Sequence, residues 1–452
     1  MKLKFIGAVR EVTGSCHILE TGKNRVMLDC GGRQGSEKTP DPSLDKYNIV
    51  PSSIDCIVLS HGHYDHCGMI PYLVKLGFKG RIFGTPSTFD IAELIMKDSA
   101  HLMVEENKQD KSKKVYYDET DVENTIRLFH PVLYEEPKRI ADGVTLVLHD
   151  AGHILGSSSV ELRVEENGLV KTVIFSGDIG GGRSKIMNVP KQPNKADYLI
   201  LESTYGNRLH HTTDPWEEIE KIAREVISRG GRLLIPAFAV GRCQDVLYAL
   251  NSLYNMKRLP HTNVYVDSPM ACDVTILYHH AALYLNPEFR SALSNDPRPF
   301  DFGRLEYVKK RIRSEKIAKN VEPSIIIAAS GMCEGGRIMN YLPRILEEPR
   351  SCILFVGYQG DGTRGRAILE GAKEINISGR VYKVRCEVKK INSLSAHADK
   401  DGLKRYVEGI ASKPKKVFVV HGEKEPAEMF ANDLKEIGID AVVPYEGDEV
   451  EI

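Results

Sequence analysis

Seven consecutive residues, Ser60-His61-Gly62-His63-Tyr64-Asp65-His66, most tightly limit what this chain can become. Three imidazoles and one carboxylate fall between His61 and His66. Such a mixture of donors suits zinc and can hold more than one ion. The run before it, Cys56-Ile57-Val58-Leu59, is short, apolar and β-branched, so it reads as a buried strand. The run from Met69 opens a helix that tolerates Pro71 in its first turn. The donors therefore sit on a strand-to-helix connection, where layered α/β proteins put their chemistry. Cys67, beside the cluster, reads as a small packing residue, because thiols bury readily.

The same arrangement recurs along the chain. Alternating runs predict strands at 2–6, 16–20 and 25–28, the last delivering Asp29. Helices are expected near 88–107 and 119–129, with a Lys-rich linker between them and a long surface loop over 36–53. Strands at 145–149, 172–175 and 198–201 lead to His153, Asp178 and Glu202. After residue 206 strands and helices alternate, which implies a parallel sheet with helices on both faces. The tail then returns to the pattern of the first half. A strand at 383–388 precedes His397, and one at 416–420 ends at His421. Strand ends on one edge of an α/β protein converge, so these seven polar tips are expected to share one site. His210, His211, His279 and His280 lack such a strand end and read as surface or packing residues.

A chain of 452 residues exceeds one ordinary core, so two domains are expected, the second inserted into the first. The divisions fall at 1–206, 207–380 and 381–452. Nine scattered cysteines without a CxxC pair argue against a disulfide framework and for a reducing cytoplasm. The first residues hold no signal-peptide core and no apolar run spans a bilayer, so no membrane partner is expected. A formal net charge of −1 means that any nucleic-acid contact must come from a local basic surface. The basic run 304–319 could supply one, but its apolar stripe of Leu305, Val308, Ile312 and Ile317 fits a solvated amphipathic helix equally well.

Asp29, the HxHxDH of 61–66, His153 and Asp178 resemble the four motifs of the metallo-β-lactamase fold. Glu202, His397 in Ser-Ala-His-Ala-Asp and His421 in Val-His-Gly-Glu resemble the three further motifs of the β-CASP nucleases. Residues 236–242 and 330–337 are similar to segments of that family's inserted domain, so the resemblance covers essentially the whole chain. Within the family, the chain looks most like the prokaryotic relatives of the cleavage and polyadenylation specificity factor nuclease. The resemblance implies an αββα sandwich with an inserted parallel-sheet α/β domain. It implies two zinc ions per chain, with manganese as the alternative. His61, His63 and His153 would hold one, Asp65, His66 and His421 the other, and Asp178 would bridge them. Five histidines and two aspartates suit zinc better than magnesium, which prefers oxygen.

The activity implied is hydrolysis of single-stranded RNA by a hydroxide bridging the metals, leaving 5′-phosphate and 3′-hydroxyl ends. The mode would be endonucleolytic, with 5′-to-3′ exonuclease action as a second one. His397 would be the general acid, oriented by Glu202, with Asp65 and Asp29 completing the catalytic set. Asp29 would orient a ligand by accepting its N–H. Arg242, Ser330, Arg337, Arg366 and Ser395 are candidate RNA contacts, next to glycine-rich turns whose N–H groups can hold phosphate. A histidine at 421 favours RNA over DNA by the family's pattern, and members often form homodimers. The alternative is a small-molecule metallo-hydrolase of thioesterase or lactonase type, against which the large insertion and the His397/Glu202 pair argue.

Overall fold

The computed structural model describes residues 1–34, 41, 44–210 and 213–452. It divides into two compact units. The first comprises Met1–Arg183, Met187–Leu209 and His397–Ile452; the second comprises Ser184–Ile186 and His210–Ala396. The first unit is thus interrupted in sequence by the second, as expected of an insertion.

Two seven-stranded sheets make up the first unit. One runs in the order Glu449–Glu451, Lys2–Gly7, Cys16–Glu20, Arg25–Leu28, Cys56–Val58, Arg81–Gly84, Phe129–Pro131. The other runs Ala441–Val442, Lys416–Val420, Tyr198–Glu202, Leu169–Phe175, Ser158–Glu166, Val144–Asp150, Lys138–Ala141. Each is antiparallel along one half and parallel along the other. Side chains alternate with period two, so each strand serves two cores. Ile200 joins Phe5, Leu28, Val58, Phe175 and Phe418 between the sheets. Leu199 and Leu201 face the other way, onto Leu403, Tyr406, Phe430 and Leu434 of helices Lys400–Glu408 and Lys424–Glu436. Placing the parallel strands side by side brings their carboxyl ends to one edge, and six of the seven polar tips come from those ends and from the loop after Val144–Asp150, while His397 stands just ahead of helix Lys400–Glu408.

The second unit carries an all-parallel six-stranded sheet in the order Leu305–Tyr307, Asn263–Asp267, Ser324–Ala328, Arg232–Pro236, Cys352–Phe355, Glu387–Lys390. Its central strands are buried along their whole length, which is why they read as continuous apolar runs.

Four expectations need correction. The strand expected at 383–388 is two: Arg380–Lys383, in a hairpin with Glu374–Ile377, and Glu387–Lys390. The latter pairs in parallel with Cys352–Phe355, so the inserted unit runs to Ala396, past the division placed at 380. The helix expected at 119–129 stops at Ile126, and Phe129–Pro131 adds an edge strand. In the basic run, Leu305 belongs to a strand and Ile312 is 82% exposed, so no continuous apolar stripe forms. Within the expected loop 36–53, short 3-10 turns occupy Leu44–Tyr47 and Pro51–Ser53, while 36–40 and 42–43 lie outside the described residues. All nine cysteines are buried free thiols, and Cys67 donates to the Gly62 carbonyl. Among the described residues, no helix is long and apolar enough to cross a membrane.

Candidate metal centre

The strand Cys56–Val58 runs into Ser60 and His61, and the chain then turns into a short helix, Tyr64–Cys67. His61 and His63 stand on the connection, while Asp65 and His66 lie in the helical turn. The turn is held against the loop after Arg25–Leu28: Cys30 N–H donates to His66 O (2.9 Å) and Gly32 N–H to Tyr64 O (3.0 Å). The approach is so close that a Cβ at Gly31 would lie 1.6 Å from the Asp65 carbonyl oxygen. Asp29 and His421 both take left-handed backbone conformations, with φ of 58° and 47°. Such geometry is uncommon outside glycine and gathers at functional sites, where it aims a side chain off a strand tip.

Two sets of donors result. In the first, His63 Nδ1 lies 3.1 Å from His61 Nε2 and 3.2 Å from His153 Nε2. Asp178 Oδ2 is 3.4 Å from each of those Nε2 atoms. In the second, His66 Nε2 is 3.1 Å from His421 Nε2 and 3.4 Å from Asp178 Oδ1. Asp65 Oδ2 lies 3.5 Å from His421 Nε2 and 3.9 Å from His66 Nε2. Asp178 thus turns one carboxylate oxygen to each set. Donors placed tetrahedrally at about 2.1 Å from a zinc ion stand about 3.4 Å apart. The measured distances in the first set match those edges; in the second, Asp65, His66 and His421 lie within 4.8 Å of one another, and Asp178 Oδ1 comes to 3.4 Å from His66 Nε2. The chemistry also fits: a cation would bridge ring nitrogens that face one another at 3.1 Å. Asp178 Oδ1 and His63 Nε2 are buried without a hydrogen-bond partner among the described residues.

Burial opposes charge throughout the centre. It pulls His61 well below the usual histidine value and His63 down to about 4, keeping both neutral, as a ligand must be. Burial also opposes charge on His66, but Asp178, Asp29 and Asp65 outweigh it and raise His66 well above its ordinary value. For Asp178 burial is again overcome, by His421, His66 and His61, which hold the carboxyl well below its normal range.

Around these donors stands a shell of orienting groups. Asp29 Oδ2 is 2.7 Å from His66 Nδ1. Glu202, fully buried, places its oxygens 3.1 and 3.2 Å from His397 Nδ1 and accepts from Ile179 N–H at 2.7 Å. Burial lowers the His397 pKa, but Glu202 and Asp178 outweigh it, so the ring is raised above its ordinary value. Three orienting hydroxyls had no sequence signal of their own. Ser60 Oγ lies 3.1 Å from His61 Nδ1, Thr204 Oγ1 lies 3.2 Å from His421 Nδ1, and Ser15 Oγ donates to Asp29 at 3.2 Å. Ser60 adjoins His61, and Thr204 lies two residues beyond Glu202, both tips that the sequence marks.

All ten expected metal and catalytic residues meet here. The five candidate RNA contacts lie in the second unit. Arg242 is 6% exposed and paired with Asp245 at 2.8 Å. Arg337 donates to Lys309 O (3.0 Å), and Arg366 pairs with Glu370. Ser330 Oγ accepts from Glu334 N–H (3.1 Å), folding its loop back on itself. That loop meets the one bearing Arg366, through Gly365 N–H to Met332 O (3.0 Å). Ser395 is half-buried, its N–H donating to Asn392 O (3.2 Å). His279 and His280 are exposed at a helix end, and His210 is half-buried; His211 lies outside the described residues.

Comparison with known proteins is consistent along the chain. Residues 9–236 match the metallo-beta-lactamase superfamily, 243–368 the Beta-Casp domain, and 381–444 the Zn-dependent metallo-hydrolase RNA specificity domain. The chain is 33% identical over 426 residues to a ribonuclease of Thermus thermophilus, covering 94% of each. It is 33% identical over 451 residues to an RNase J-like protein of Methanocaldococcus jannaschii, covering 98% of each. It also shares 33% identity over 437 residues with the transcription termination factor FttA of Methanosarcina mazei, covering 94% of this chain and 67% of that one. The crystal structure of a protein of unknown function from Enterococcus faecalis V583 has the same fold, with a TM-score of 0.55, 13% identity and 99% of both chains covered.

Proposed function

The chain belongs to the metallo-β-lactamase superfamily, in the branch that carries a Beta-Casp domain, and from that premise we propose that it is a metal-dependent ribonuclease hydrolysing phosphodiester bonds of single-stranded RNA. The observation that carries this reading is the pair of donor sets with Asp178 between them, one carboxylate oxygen 3.4 Å from His61 and the other 3.4 Å from His66, and His397 and Glu202 alongside. His61, His63, His153 and Asp178 would hold one cation; Asp65, His66, His421 and Asp178 would hold the second. Bound there, two zinc or manganese ions would supply Lewis acidity to the phosphate and make a strong nucleophile of water at neutral pH.

The protein's own residues supply position and the proton. Asp29 fixes His66 through Nδ1, so that Nε2 faces the centre. Glu202 holds His397 by Nδ1 and favours its protonated form, and His397 then delivers its Nε2 proton to the leaving 3′-oxygen. The expected products carry a 5′-phosphate and a 3′-hydroxyl. The RNA-specificity domain match and the ribonuclease names of the relatives support RNA as the substrate. The buried free thiols support a reducing, cytoplasmic setting.

Incubation of the purified protein with end-labelled single-stranded RNA tests this. Cleavage should vanish with a chelator, return with zinc or manganese, and leave the stated ends. RNA left intact by the metal-loaded protein, with a thioester or lactone turned over instead, would overturn it.

A further inference from the structure

The two donor sets share Asp178, and a second connection runs between them on their buried side. Resting on the two-cation reading above, we propose that Ser60 is a positioning residue common to both sets, its hydroxyl fixing His61 in one and, through Asp29, His66 in the other.

The argument is one of proton accounting. A serine hydroxyl has one hydrogen to give, and a carboxylate oxygen can only accept. Ser60 Oγ lies 2.8 Å from Asp29 Oδ2, so its hydrogen is committed there. The Ser60 oxygen then meets His61 Nδ1 at 3.1 Å with a lone pair, and that nitrogen must carry the ring hydrogen. His61 Nε2 is left as the lone-pair atom, and it is Nε2 that faces His63 and Asp178. The same Asp29 Oδ2 lies 2.7 Å from His66 Nδ1, which fixes that ring in the same sense, with Nε2 toward His421 and Asp178. Ser60 Oγ is 3.4 Å from His66 Nδ1, too long to compete with Asp29. Ser60 and Asp29 are both wholly buried, so water does not substitute for either contact, and the Ser60 N–H adds a further bond to Asp29 Oδ1 at 2.8 Å.

Thr204 offers the contrast. Its hydroxyl donates to the His421 carbonyl (3.2 Å) and presents a lone pair to His421 Nδ1 (3.2 Å). By the same accounting it fixes one imidazole, in the second set alone. Ser60 is therefore expected to matter to both cations and Thr204 to one.

The test is titration of the chelator-stripped protein with Co²⁺ alone, followed by the visible absorption of the bound ion, for wild type, Ser60→Ala, Ser60→Thr and Thr204→Val. Ser60→Ala should weaken both binding steps by about tenfold to a hundredfold, the range for loss of a ligand's orienting partner. Thr204→Val should weaken one step, and Ser60→Thr should follow wild type. A Ser60→Ala titration that overlays wild type, or loses affinity in one step only, overturns the proposal. A wild-type protein that takes up fewer than two Co²⁺ ions overturns the two-cation reading itself. Should Ser60→Ala not fold, ¹⁵N-histidine spectra of the zinc-loaded wild type decide. The ring hydrogen must be on Nδ1 of both His61 and His66; finding it on Nε2 of either refutes the relay.

Discussion

The first unit holds two clusters of histidine and carboxylate, one buried and one open on one side to solvent, and they are built to opposite ends. In the centre formed by the strand tips, ring nitrogens of His61, His63 and His153 face one another at 3.1–3.2 Å, and so do those of His66 and His421. Across the same sandwich, His149 lies between two carboxylates: Nδ1 is 2.9 Å from Glu135 and Nε2 is 2.9 Å from Glu161. Lys191 closes on Glu135 (3.0 Å) and Arg163 on Glu161. In that second cluster every charge has its opposite within reach, and nothing further is required. Residue type alone does not separate the two. Their partners do: ring nitrogens that face one another suit a cation between them, whereas ring nitrogens that face carboxylates are already satisfied.

The most severe way to break this contrast is to remove the residue common to both donor sets. Asp178→Ala takes an oxygen from each, so binding of both cations should fail and RNA cleavage should fall by about a thousandfold or more, since Lewis-acid stabilisation is worth several kcal/mol. Metal content and single-turnover cleavage check this together; retention of two ions by the variant would break the assignment of Asp178 as the shared ligand. Next in size is His397→Ala. Loss of a positioned proton donor costs about a hundredfold to ten-thousandfold in kcat. Metal content should not change, because His397 stands beside the donor sets and belongs to neither. A loss of both ions would instead make His397 part of the metal shell.

How much of this was legible follows from what each residue does to the pattern. The tips Asp29, His61, His153, Asp178, Glu202, His397 and His421 were readable because each polar residue ends, or soon follows, a strand or its neighbouring loop in a chain otherwise patterned for two cores. The last strand of the inserted unit was misplaced because Glu387-Val388-Lys389-Lys390 is an edge strand, and edges tolerate charge that central strands exclude. Phe129, the first residue of its edge strand, reads as the end of a helix for want of any glycine or proline break between it and Ile126. Ser60 and Thr204 gave no signal because a hydroxyl's role depends on where its one hydrogen points, which only packing decides. His149 read as an ordinary strand residue for the same reason: its partners Glu135 and Glu161 lie 14 and 12 positions away.

The self-neutralised cluster makes a prediction of its own, in stability and not in activity. Burial lowers the His149 pKa, but its bonds to Glu161 and Glu135 outweigh that and raise it above 6.5. Its stabilisation is therefore fully present below 6.5 and is lost as pH rises through the raised folded value. Burial pushes Glu135 and Glu161 up, but His149 together with Lys191 or Arg163 outweighs it and holds both below 4.5. Their contribution is present above 4.5 and is lost as pH falls through the lowered folded values. Wild type should exceed His149→Gln in stability by about 1–3 kcal/mol in the window between 4.5 and 6.5, the range for buried hydrogen bonds to charged groups. The gap should narrow on both sides of the window. Urea unfolding of the two zinc-loaded proteins across pH measures it, with the metal centre cancelling in the difference. A gap that is flat with pH would mean that His149 does not change charge between the folded and unfolded chain.

The smallest effect belongs to Glu135→Gln, and it sharpens the comparison most finely. The Glu135 side chain is 40% exposed, against 5% for Glu161, so water already screens much of its attraction to His149. The substitution should cost less than about 1 kcal/mol. It should also bring the high-pH loss of stability to lower pH, because one of the two carboxylates that raise His149 is gone. Glu161→Gln, made at the buried face, should move that limb further in the same direction. If the two variants moved it equally, burial would not be what sets the strength of this cluster, and the two faces of His149 would have to be treated as equivalent.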